Sequence, residues 1–161
     1  MMTIVSAPAD LVVAESDGIA VRFAGVELTR QMPSHVAAVQ GEPGIRVNLE
    51  GVRSHETVRR DQSFVEARLQ WVELRKEHGA ESAGDGPIMP GVLALEPIKV
   101  VISDDAGTEY HWASGQVAGD GTEWAASWTF LPEPPKNVRT LGLDFTLNGE
   151  STGRKCRVEL A

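Results

Sequence analysis

Apolar and polar positions alternate most regularly over residues 123–130, Glu-Trp-Ala-Ala-Ser-Trp-Thr-Phe. Trp124, Ala126, Trp128 and Phe130 fall on one side of the chain, and Ala125, Ser127 and Thr129 on the other. A period of two is the signature of a half-buried strand. Turn formers bound the stretch, with Gly115, Gly119, Asp120 and Gly121 before it and Pro132, Pro134 and Pro135 after it. Its length therefore suits one strand and not an ordinary helix. Two tryptophans on one face predict the centre of a core.

The same periodicity recurs along the chain. Leu11 to Ala14 reads as a short strand, and residues 18–28 as a longer one in which Ile19, Val21 and Phe23 alternate until Gly25 shifts the register to Val26 and Leu28. A glycine bulge accounts for that shift. The motif Gly-Ile-x-Val-x-(Phe/Leu)-x-Gly-Val begins at Gly18 and returns at Gly44. Because a solenoid needs at least three stacked units, two copies predict two bulged strands in comparable sheet positions. Residues 31–43, between them, fit either an edge strand or a short helical turn.

Residues 61–78 hold two signals in opposition. Ala, Leu, Arg, Gln and Glu favour helix, whereas Val65, Ala67, Leu69 and Trp71 alternate with Glu66, Arg68 and Gln70. On a helical wheel the apolar residues spread over more than half the circumference with Arg68 and Arg75 among them, so the pattern predicts a strand. Residues 79–91, rich in Gly and Pro, read as a long flexible loop. A strand follows at 98–103. Next comes an Asp104 to Thr108 turn in which carboxylates cap the backbone and Gly107 takes positive φ. Tyr110 and Trp112 then share a strand face opposite His111. Residues 139–147 alternate again, Asn148-Gly149 is a strong hairpin signal, and the chain closes on a strand carrying Cys156.

About nine short strands with frequent Gly and Pro turns predict an all-β fold, an antiparallel β-sandwich of immunoglobulin-like or jelly-roll connectivity. Residues 1–10 read as a flexible leader and residues 11–161 as a single domain. A chain of 161 residues has enough length for a self-sufficient core.

Charge narrows the partners. A net charge of −8 at pH 7 repels a phosphate backbone, so nucleic acid is not expected. Residues 53–76 are locally basic, with their acids interleaved as on a solvated face. No basic and apolar leader and no apolar run of spanning length occurs, so neither a membrane partner nor export is expected; the cytoplasm is the expected compartment. The single Cys156 forms no intrachain disulfide, and its place beside Val158 and Leu160 marks a packed thiol.

Asp104-Asp105-x-Gly107-Thr108-x-Tyr110, a Gly-rich loop, Glu123-Trp124, and Trp128-x-Phe130-x-Pro132-x-Pro134-Pro135 followed by a closing strand resemble the C-terminal part of bacterial immunoglobulin-like β-sandwich proteins. The resemblance covers residues 92–147 and implies a fold, not an activity. The paired cysteines of true immunoglobulin domains are absent.

Catalytic patterns fail one by one. Ser34-His35 and Ser54-His55 are chain neighbours, whereas a nucleophile and its base must meet across space. His35, His55, His78 and His111 lack zinc-ligand spacing, and Gly119-Asp120-Gly121 lacks the remainder of a nucleotide-binding loop. Asp104, Asp105 and Asp120 flank one strand and are the candidate metal ligands, but they lack calcium-loop spacing and turn capping is the preferred account. Tyr110, Trp112 and His111 are the candidate ligand-binding residues. The expected function is a non-enzymatic interaction module that binds another protein or itself as a homo-oligomer, without a cofactor. The alternative is a sandwich that binds a small molecule or carbohydrate. A buried Trp112 favours the first, and an exposed Trp112 aligned with Tyr110 in a concave face favours the second.

Overall fold

A computed structural model describes residues 3–5, 11–29, 43–118 and 123–160. Its elements run β1 (Thr3–Val5), β2 (Val12–Ser16), β3 (Ile19–Thr29), β4 (Gly44–Gly51), α1 (His55–Ala83), α2 (Pro90–Leu95), β5 (Ile98–Ser103), β6 (His111–Ala118), β7 (Ala125–Leu131), β8 (Thr140–Leu147) and β9 (Glu150–Glu159). The strands form two antiparallel sheets, the larger in the order β1-β3-β4-β7-β6 with β2 also paired to β3, the smaller in the order β5-β8-β9. The fold is an antiparallel β-sandwich of nine strands among the described residues, with helices added. Thr3–Val5, within the stretch read as a leader, lie in the larger sheet against Val26–Leu28.

Alternation builds the core as expected. Ile45, Val47 and Leu49 of β4 stand opposite Phe130, Trp128 and Ala126 of β7, and all six are buried. From the smaller sheet, Ile98, Val100 and Ile102 of β5 and Leu141, Leu143 and Phe145 of β8 close the layer. The rings of Phe23 and Phe145 meet between the sheets at 5.6 Å, tilted by 51°. Gly25, at φ 123°, carries the bulge: the β3–β4 register shifts between Phe23 and Gly25, and Val26 returns to the core. The second copy of the motif behaves differently. From Ile45 to Glu50, β4 pairs with β7 without a shift, and Gly51 ends the strand, donating its N–H to the Trp124 carbonyl at 2.8 Å. The two copies are thus neighbouring strands, of which the first alone is bulged at its glycine. Asn148 and Gly149, at φ 53° and 86°, make the hairpin turn between β8 and β9.

The expectation of a strand at 61–78 is overturned, since these residues lie inside α1. Two physical causes outweigh the alternation. Ser54 and Thr57 form a reciprocal cap, in which Thr57 N donates to Ser54 Oγ at 3.2 Å and Ser54 N donates to Thr57 Oγ1 at 2.9 Å. That cap satisfies amides a helix start leaves open, and a run of strong helix formers follows it. The wide apolar arc is no obstacle, because only a narrow seam is buried. Thr57 and Phe64 are buried and Trp71 is half-buried, each roughly two turns from the last. Val65 and Leu69, on which the strand reading rested, are 50% and 63% exposed. Arg75, awkward in an apolar arc, lies over the Trp71 ring at 5.4 Å.

The loop expected at 79–91 is also shorter than its composition implied. Helical geometry breaks at Gly79 (φ 85°, ψ 167°), resumes to Ala83, and returns in α2 from Pro90. The segment between folds back on α1, where Trp71 Nε1 donates to the Gly84 carbonyl at 3.0 Å. Trp124 Nε1 donates to Asp61 Oδ1 at 2.9 Å, which fastens the start of α1 to the larger sheet. No helix among the described residues is long and apolar enough to cross a membrane. The undecided segment at 31–43 lies, up to residue 42, outside the described residues, and so does Asp120.

Candidate functional site

The site begins with a mismatch between the sheets. Strand β6 is an outer strand of the larger sheet, and α2 packs against β4, β6 and β7 on that side. The inner face of β6 is therefore only partly covered. A register shift between Trp112 and Ser114 sets which residues reach it: Trp112 pairs with Phe130, then Gly115 with Trp128 and Val117 with Ala126. Residues directly opposite on paired strands share a face, so Trp112, Gly115 and Val117 lie on the side of the buried Phe130, Trp128 and Ala126.

A groove of about 500 Å³ results, lined by Val92 and Glu96, Lys99, Trp112, Gly115 and Val117, and Trp128. That volume is within the usual range for small-molecule pockets. Trp112 is 55% exposed, while Trp128 is buried. Gly115 lets both rings approach the strand. A side chain there would put its first carbon 2.5 Å from Trp128 Cζ3 and 3.3 Å from Trp112 Cζ2. Glycine is required here by space and not by its own torsion. Opposite, the Lys99 ammonium lies 3.9 Å from the centre of a Trp128 ring and donates to the Glu96 carbonyl at 2.7 Å. Burial pushes the Lys99 pKa below the usual lysine value, and the negative charge of Glu96 partly offsets this. Trp128 Nε1 is buried without a hydrogen-bond acceptor among the described residues. Of three other depressions, the one between β2 and the β8–β9 hairpin and the one along β8 and β9 contain no aromatic side chain, and the third, beside Arg22 and Arg53, is bordered by Trp124, which is buried.

Of the expected ligand-binding residues, the structure brings only Trp112 to this groove. Tyr110 precedes β6, half-buried, and its hydroxyl donates to Asp104 Oδ2 at 2.6 Å. His111 is exposed at the start of β6. The co-alignment of Tyr110 with Trp112 is thus replaced by a clasp that closes the turn between β5 and β6. Asp104 Oδ1 also accepts from Ala106 N at 2.9 Å and Thr108 N at 3.1 Å, with Gly107 at φ 75°. That arrangement is the turn capping expected of the sequence. Asp105 is exposed, and among the described residues no group of three His, Cys, Asp or Glu side chains is placed to hold a metal ion.

The clasp predicts an acid sensitivity. The hydrogen bond from Tyr110, followed by those from Thr108 and Ala106, lowers the Asp104 pKa from 3.8 to about 2. With the folded value below the unfolded one, the stabilisation is fully present above 3.8 and is lost as pH falls towards about 2. Across that window the melting temperature of the wild type should fall more steeply than that of Asp104→Asn. Parallel melting curves would mean that the carboxylate is not held as described.

Val92, Glu96, Lys99, Gly115, Val117 and Trp128 are not among the residues that the sequence singles out as binding candidates. The readable signal is a glycine within a strand run that contains Trp112, since such a glycine marks close approach of a neighbour. Cys156 is half-buried against the core, and burial pushes its thiol up to about 11, as expected for a packed cysteine. The chain matches no family model, no curated protein and no solved structure.

Proposed function

We propose that the protein is a non-enzymatic binding module that holds a small ligand in the groove between α2, β5 and β6. The carrying observation is Trp112, 55% exposed on a concave face whose floor is a second tryptophan. Holding a large indole open to water on the inner side of a sheet forgoes burial of the kind that stabilises Trp124 and Trp128. An aromatic ring so placed is a stacking platform for a flat ligand.

Because Trp112 is about half-exposed, Trp112→Ala should cost well below the loss of a fully buried aromatic, about 3–5 kcal/mol. It should abolish binding of small aromatic ligands, detected as shifts of the indole N–H signals in nitrogen-15 spectra. Ligands that bind equally well to Trp112→Ala would refute the assignment.

A second reading, association with another protein or a second copy of the chain, is favoured by α1. Val65 and Leu69, 50% and 63% exposed, present apolar surface on α1, whose Trp71 is bonded to the return segment at Gly84. Light scattering over a concentration series tests it, and a monomer throughout would remove self-association.

A further inference from the structure

We infer that the ligand of this groove is a small organic anion, a carboxylate carried on a flat apolar body, with Lys99 as the cation that receives it. The inference rests on the groove reading above and narrows it to a chemical class. An ammonium offers three N–H donors, and Lys99 uses one on the Glu96 carbonyl. Among the described residues Lys99 forms no ion pair; its charge is met by the Trp128 ring at 3.9 Å, by that carbonyl and, in part, by the negative charge of Glu96. A partly desolvated cation with no directly paired carboxylate is only partly compensated. The Glu96 side chain is exposed, its main chain instead supplying the contact. An incoming carboxylate would supply the missing charge through charge-assisted hydrogen bonds.

The other walls select the rest of the ligand. Trp128 cannot receive a cationic ligand on the face that Lys99 already covers, so a quaternary or protonated amine is disfavoured by both occupancy and charge. Val92 and Val117 present aliphatic surface beside the open Trp112 ring. A sugar would set its hydroxyls against those valines without partners, whereas a flat hydrocarbon ring loses nothing there. Lys99 lies on β5 and Trp112 on β6, so charge and platform come from different sheets across the groove.

The test uses the full chain, 2-naphthoate, and its neutral amide of nearly the same shape. The protein has four tryptophans, and their indole N–H signals in nitrogen-15 spectra report which ring each compound touches. The acid is expected to shift Trp112 and Trp128 and to bind at least about tenfold more tightly than the amide, a difference of about 1.4 kcal/mol. Lys99→Met, which keeps an apolar stem over Trp128, should remove that preference, so that the acid binds no more tightly than the amide. Equal binding of acid and amide by the wild type would overturn the anion inference and leave the groove reading intact. Failure of acid, amide and a neutral disaccharide alike to shift either signal would overturn both. Should Lys99→Met not fold, the contrast between acid and amide in the wild type still decides.

Discussion

Phe145→Ala should lower the unfolding free energy by about 3–5 kcal/mol, the usual cost of deleting a buried phenylalanine. Phe145 is completely buried on β8 and meets Phe23 of β3 at 5.6 Å, so the side chain joins the smaller sheet to the larger. Part of the cost is area and cavity, and part is the aromatic pair, worth about 0.5–1.5 kcal/mol beyond area. A double-mutant cycle with Phe23→Ala separates the two, because side chains in contact give non-additive losses. Against a typical total of about 5–15 kcal/mol, urea unfolding should reveal the change as a large fall in midpoint. A loss under about 1 kcal/mol would mean that the sheets are not joined at this point.

The strands are legible in the sequence where each buries one face. The alternations at 45–49, 124–130 and 141–145 need no further information, since the inward positions Ile45, Val47, Leu49, Trp124, Ala126, Trp128, Phe130, Leu141, Leu143 and Phe145 are all buried. The bulge at Gly25 is legible for the same reason: an apolar pattern that changes parity across a glycine requires one extra residue in the strand at that point. Residues 61–78 mislead because periodicity carries information only when one side is buried. On α1, Val65 and Leu69 face solvent, so their alternation records no packing at all, and propensity together with the Ser54–Thr57 cap decides the structure. Ser54 stands beside His55 in the chain, yet its hydroxyl is committed to the Thr57 amide and serves the cap.

The site is less legible than the fold. Asp104 is readable as a capping residue because its role is local, within a few positions of Ala106, Thr108 and Tyr110. The groove is not local. Lys99 and Trp112 line one groove although β5 and β6 belong to different sheets, and Gly115 stands opposite Trp128 only through the register shift after Trp112. Without that shift, strict alternation would put Gly115 on the opposite face from Trp112. Trp112 can be named from sequence as an aromatic candidate, but the residues around it follow from sheet order, which alternation does not encode.

Trp128 is where fold and groove depend on the same atoms, and Trp128→Ala should cost about 3–5 kcal/mol in urea unfolding while emptying the floor of the groove. Its ring is buried between the Gly115 backbone and the Lys99 ammonium, and its Nε1 has no acceptor among the described residues. The unmet N–H makes Trp128→Phe the informative control. Phenylalanine loses part of the buried area and also discards a donor that is unfavourable to bury, so its cost should be well below that of alanine. Gly115→Ala attacks the same contact from β6, since the added carbon would overlap Cε3 and Cζ3 of the indole; overpacking of this kind costs about 1–3 kcal/mol. Phenylalanine has neither atom, so Gly115→Ala should cost less in the Trp128→Phe background than in the wild type. Strict additivity of the two substitutions would show that Gly115 does not seat the indole. The groove would then owe its shape to something other than the close approach of that ring to β6.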